Sequence, residues 1–288
     1  VIAGLAVSSA ARADFAAGVA AYQGGDYVGA AQEWQSLAEQ GDPAAEFNMG
    51  LLYYQGLGVP QDREQGRMYW LAAADHGYVP AFYELALTKM DGYLGHPDFE
   101  DARTLLSQAA DDGYASAEYF LGDLLRLGLG GDKDEIGAMQ LYQAAAKAGN
   151  ADAAFTLGEL ARLGTADAAA SPAEALLWYE SAAKNGQVRA QYRLGWCYEQ
   201  GFGTGPDATQ AFVWYSAAAA HGSVRAEADR MRLMASLTPD QMTAANMQLH
   251  AMGIPLPTDA VQDNTAAGTD TAGGSPPALS PPPETTGR

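Results

Sequence analysis

Cysteine occurs once in this 288-residue chain, at Cys197, and histidine only four times. A single cysteine excludes an internal disulfide and any metal site built from several thiolates. Basic residues are also scarce: 16 Lys and Arg stand against 35 Asp and Glu, a formal charge of −19. Nucleic-acid binding needs a basic surface, so this balance argues against it, and against attraction to an anionic membrane. It leaves protein partners with basic segments, or simply a well-solvated surface. No apolar run is long enough for an ordinary membrane-spanning helix. The motifs of chemistry are missing too. His76, His96, His221 and His250 form no H-x-x-x-H or HExxH pair. The glycine-rich stretches at 128–131 and 201–205 lack the Lys-Ser/Thr of a phosphate loop and read as turns. No S-x-x-K is present, and Asp132–Glu135 lacks the ligand spacing of a calcium loop. We therefore assign no catalytic, metal or cofactor-binding residue and expect a protein that is not an enzyme.

The hydrophobic fraction, 48%, is ample for a packed core. The two ends differ from the middle. Val1–Val7 is apolar, and Ala11-Arg12-Ala13 before Asp14 fits the small-residue cleavage pattern of a secretory signal peptide. Residues 1–13 are expected to be the remnant of such a leader, and the protein to be exported, periplasmic or secreted from a bacterium. Residues 254–288 are rich in Pro, Thr, Gly, Ala and Ser. They cannot bury enough apolar area to offset their ordering entropy, so disorder is expected there.

Between these ends the chain repeats itself. Aligning PAAEFNMG, VPAFYELA, ASAEYFLG, ADAAFTLG, VRAQYRLG and VRAEADRM puts Ala45, Ala81, Ala117, Ala153, Ala190 and Ala226 in register, at steps of 36 or 37 residues. An aromatic follows two residues after each of the first five alanines, and a glycine five after at Gly50, Gly122, Gly158 and Gly195, with Ala86 as the exception. A second glycine register (41, 77, 113, 149, 186 and 222) closes an apolar stretch in every unit, and a third (56, 92, 128, 164 and 201) marks its middle. A period near 36 suits two helices of about three turns with two connections. In the second unit the first helix should span Ala44–Gln55, with apolar residues at helical spacing and the mid-unit glycine as its stop. Small residues where helices cross should let the backbones approach, the gap being filled by an aromatic of the neighbouring repeat. His76 and His221 precede closing glycines, where a cation suits the orphan carbonyls of a helix end. Thr238-Pro239-Asp240-Gln241 has the form of a capping box, opening a last helix that should run to about Met252. One helix pair cannot bury its apolar face alone; stacked pairs can.

The segments AEFNMGLLYYQGLGVPQD…MYWLAAADHG (45–77) and AQYRLGWCYEQGFGTGPD…AFVWYSAAAAHG (190–222) resemble the Sel1-like repeat family, a relative of the tetratricopeptide repeat. The likeness extends over about 15–222 and is looser in the units at 79–114, 115–150 and 151–187. It implies an all-α fold: an α/α right-handed superhelical solenoid of about six 36-residue helix-pair repeats plus C-terminal capping helices, here over residues 14–253. It also implies an adaptor or scaffold for protein complexes. One branch of the family, rich in paired cysteines, is linked to penicillin binding and β-lactamase activity; the lone Cys197 withdraws support from that alternative. Another is a regulator of envelope polysaccharide synthesis acting through protein contacts.

In stacked pairs the first helices line the concave side. Positions three and six after each marker alanine lie outside the repeat pattern and are free to face a groove: Asn48, Leu51, Glu84, Leu87, Phe120, Asp123, Thr156, Glu159, Arg193 and Trp196. Phe120 and Trp196 are the expected anchors for a bound protein segment, since aromatics dominate interface energetics.

Overall fold

The computed structural model describes residues 9–92, 95–165 and 168–255. Most of the expected leader remnant (1–13) and of the expected disordered tail (254–288) lies outside them. The described residues form fourteen α-helices and no strand. The chain divides into two compact units, with the boundary between Lys133 and Asp134.

The first unit contains α1 (Ser9–Gln23), α2 (Tyr27–Glu39), α3 (Pro43–Gln55), α4 (Arg63–Asp75), α5 (Val79–Met90), α6 (Phe99–Asp111) and α7 (Ala115–Leu127). The second contains α8 (Glu135–Lys147), α9 (Ala151–Leu163), α10 (Pro172–Lys184), α11 (Val188–Gln200), α12 (Ala208–Ala220), α13 (Val224–Met234) and α14 (Pro239–Ala251). Within each unit the extensive contacts join helices consecutive in sequence, apart from α14, which folds back on α12. This neighbour-only packing is the signature of stacked helix pairs.

Local chemistry explains the boundaries. Asp42, Asp62, Asp134 and Asp207 each accept a hydrogen bond from a backbone N–H of the first turn that follows, which satisfies an otherwise orphaned donor. The capping box is formed: Thr238 Oγ1 accepts from Gln241 N–H at 3.3 Å, and the Gln241 side chain accepts from Thr238 N–H at 3.0 Å. At the C-terminal end of α3, Gly56 adopts φ +75°, a left-handed cap that a Cβ would strain.

The core is a register of its own. Trp34, Trp70, Leu106, Tyr142, Tyr179 and Tyr215 recur at steps of 36 or 37 residues, and all are fully buried. Trp34, Trp70, Tyr179 and Tyr215 each face a glycine on the first helix of their own pair, Gly18, Gly50, Gly158 and Gly195. A Cβ on Gly50 would lie 2.4 Å from Trp70 Cδ1, on Gly158 2.6 Å from Tyr179 Cδ1, and on Gly195 2.6 Å from Tyr215 Cδ1. The expectation that a neighbouring repeat supplies the ring is therefore corrected: the ring comes from the same pair, about twenty residues on. In the pair α5–α6 the same two registers hold smaller side chains. Ala86 replaces the glycine, and Leu106 replaces the ring. The glycine also gives the indole something to bond: Trp70 Nε1 donates to Phe47 O at 3.1 Å, and Trp34 Nε1 to Phe15 O at 3.3 Å. A buried indole N–H left unpaired would cost about 1–3 kcal/mol.

Candidate functional site

The first helices α3, α5, α7, α9 and α11 carry the ten positions expected to face a groove, and the structure treats them unequally. Asn48 and Leu51 are buried, at 0% and 5% exposure, so they belong to the interior of α3's packing. The Asn48 side chain makes no hydrogen bond there. The other eight, from Glu84 to Trp196, are half-buried. Phe120 packs its ring against Tyr83 and Tyr119, at centroid distances of 5.7 and 5.3 Å, and Trp196 packs on Phe202 at 5.3 Å. Both anchors thus support the stack while keeping part of the ring accessible.

Two of the eight are joined. Arg193 Nε donates to Glu159 Oε1 at 3.0 Å, which ties α11 to α9, and Glu159 also accepts from Arg162 and from the Tyr179 hydroxyl. Burial raises the Glu159 pKa, but the bonds from Arg162 and Tyr179 and the charge of Arg193 outweigh it and hold the carboxyl below its ordinary value. This carboxylate is spent on structure.

Glu84 is the opposite case. It makes no hydrogen bond or ion pair among the described residues, and burial pushes its pKa up to about 7. It lines a cleft of about 440 Å³ between the C-terminal halves of α3 and α5, with Tyr54, Leu87, Met90 and Asp91 among the walls. Across it the Tyr54 hydroxyl donates to Asp91 Oδ2 at 3.3 Å. Tyr54 and Asp91 were not singled out from sequence, because Tyr54 sits inside the repeat pattern and Asp91 reads as a helix end. The cleft combines an apolar wall with a carboxyl group that has no partner of its own, which suits an amphipathic cation.

Cys197 is buried, and burial pushes its thiol up to about 12, so little thiolate exists at neutral pH. The His76 imidazole turns sideways to the first helix of its own pair, with Nδ1 2.8 Å from Glu46 Oε2; His221 does the same with Gln191 Oε1 at 3.1 Å. Among the described residues no three His, Cys, Asp or Glu side chains are grouped to hold a metal ion. No helix among them is long and apolar enough to cross a membrane.

The family model of the Sel1 repeat matches five successive segments, 43–78, 80–114, 115–150, 151–187 and 188–223. The chain belongs to the Sel1 repeat family. Among solved structures, a Sel1 repeat protein from Oxalobacter formigenes is 30% identical, with a TM-score of 0.64 over 74% of this chain and 84% of that one. The immunity protein PA5088 from Pseudomonas aeruginosa is 20% identical, TM-score 0.55, over 78% of this chain and 84% of that one. The immunity protein Pa5087 from the same organism is 20% identical, TM-score 0.53, over 74% and 82%. The two immunity proteins share the fold alone. Among curated proteins none matches the sequence. A Sel1 repeat solenoid is a fold typical of protein–protein interaction and generally a non-catalytic scaffold.

Proposed function

We propose that this Sel1 repeat protein is a non-enzymatic scaffold exported to the bacterial envelope, and that the face of its first helices holds a segment of a partner protein. One observation carries the binding part of this reading: the unpartnered Glu84 carboxyl beside the open cleft with Tyr54 and Asp91. A lysine or arginine of the partner fits it, with its methylene stem on Leu87 and Met90 and its charge at the two carboxylates. The net charge of −19 steers basic segments toward the chain. The export part is supported by the Ala11-Arg12-Ala13 pattern behind an apolar stretch.

A photo-crosslinking residue at Leu87 tests the binding site, with one at the exposed Val28 as control. In envelope fractions the Leu87 probe should give a discrete adduct. The crosslinked peptide, resynthesised, should bind the full chain and lose at least about tenfold in affinity when its Lys or Arg is changed to Ala, a loss of about 1.4 kcal/mol. Equal adducts from both probes, or a peptide indifferent to its basic residue, would refute the reading. Turnover of a chromogenic β-lactam would refute the non-enzymatic part.

A further inference from the structure

The second unit holds the reverse of the Glu84 cleft. Although basic residues are few, three arginines line one small cleft of about 190 Å³ formed by α9, α11 and α13: Arg189, Arg193 and Arg225. Phe155, Val188, Tyr192 and Ser223 complete its wall. The Arg189 guanidinium lies over the Phe155 ring at 4.4 Å, and that of Arg225 over the Tyr192 ring at 5.1 Å. Both follow one rule of the repeat: the residue before a marker alanine stacks on the aromatic two residues after the preceding marker. Only the last two repeats put arginine there; the earlier ones have Ala44, Pro80, Ser116 and Asp152.

The carboxylates at the margin already have cations. Glu159 is bonded to Arg162 and Arg193, and Asp229 accepts from the Tyr192 hydroxyl at 3.2 Å and pairs with Arg232 at 3.0 Å. Arg189 and Arg225 make no ion pair among the described residues, and both are exposed. Stacking occupies the face of each guanidinium; Arg225 also hydrogen-bonds the Tyr192 side chain, and the remaining N–H groups of the two edges are left for a ligand. The two residues also sit in the first turns of α11 and α13, where helix dipoles favour negative charge.

The geometry points to a carboxylate-binding site in this cleft, with Arg189 and Arg225 as the fork that receives the anion. A planar monoanion matches an arginine edge bidentately. A phosphate dianion meets about twice the long-range repulsion from a chain of charge −19. The carboxylate comes from an acidic residue of a bound polypeptide or from a small free acid. Only the first source rests on the scaffold reading.

The test follows the arginine Nε–H resonances of the full chain by NMR. Acetate, inorganic phosphate and the peptides Ac-Gly-Ala-Glu-Ala-Gly-amide and its Gln counterpart are titrated separately. Saturable shifts confined to Arg189 and Arg225, at least about tenfold weaker for the Gln peptide, are expected. R189Q and R225Q should abolish the shifts at the partner arginine while far-UV circular dichroism stays unchanged; R189K and R225K should restore charge but little binding. Saturation by acetate with no response to either peptide upholds the site and refutes the polypeptide source. Shifts spread evenly over all arginines, unaltered binding in both Gln variants, or a tenfold preference for phosphate would overturn the proposal.

Discussion

Replacing Gly158 by leucine probes the contact of a helix glycine with a buried ring that recurs in four of the helix pairs. Even the first added carbon would stand 2.6 Å from Cδ1 and Cε1 of Tyr179 and 3.3 Å from its Cζ. Carbon atoms rest about 3.5–4.0 Å apart, so the ring would have to retreat by roughly 1 Å. It has little room, since Tyr179 is fully buried and its hydroxyl donates to Glu159 on the facing helix. Glycine inside a helix costs about 1 kcal/mol relative to other good helix formers, so the substitution begins with a gain of about that size. Overpacking of a close-packed site costs about 1–3 kcal/mol, and a leucine adds three further carbons. With so bulky a side chain the cost lies at the upper end of that range, so we expect a net loss of about 1–2 kcal/mol, read as a fall of several degrees in the thermal midpoint by circular dichroism. Tyr179→Leu in the same chain should recover much of the loss, because the α5–α6 pair carries a Cβ and a leucine, Ala86 and Leu106, in the same two registers, both buried. An unchanged midpoint for Gly158→Leu, or strictly additive losses in the double variant, would refute the account.

Two further predictions concern protons. Glu84 has a folded-state pKa of about 7, above its unfolded value of 4.5. The folded protein therefore holds its proton longer, and this group lowers stability progressively from about pH 4.5 to 7. Glu84→Gln should leave stability unchanged near pH 4 and raise it by about 1–3 kcal/mol above pH 7, measured by urea unfolding across pH; equal effects at both pH values would contradict this. His76 is held protonated above its ordinary pKa by its hydrogen bond to Glu46. Its contribution is full below about pH 6.5, the unfolded value, and fades as pH rises through the higher folded value. His76→Ala should therefore destabilise more at pH 6 than at pH 8.5, since the half-exposed imidazole pairs with a carboxylate that is itself buried. A proton-detected titration placing His76 below 6.5 would remove the basis of that expectation.

Helices were legible in the residues wherever a signal repeated. The expected helix Ala44–Gln55 is observed as Pro43–Gln55, and the last helix ends at Ala251, with Met252 as its cap and Gly253 at φ +68°. Partners across the packing were harder to read. A register shows that Gly158 and Tyr179 recur, but not that they touch, because two periodic sets with one period fit each other at several offsets. The same ambiguity hid the bond from His76 to Glu46, and it left Asn48 and Leu51 among the groove positions although α3 buries them. Arg189 and Arg225 stood in plain view within the motif VRA, twice over. Their meaning depends on the rings of the preceding repeat, which lie about 34 residues back.

Because each notch and the bulky group that fills it are encoded within one stretch of about thirty-six codons, a segment of the gene can be copied or lost without refitting the rest. The interlock travels as a cassette. Lengthening such a chain keeps each interlock whole when the duplicated block begins and ends at the same closing glycine, and a change within one interlock needs no matching change in the next interlock. One block alone carries Ala86 and Leu106 at the positions that hold Gly and Trp or Tyr elsewhere, a variation such independence permits.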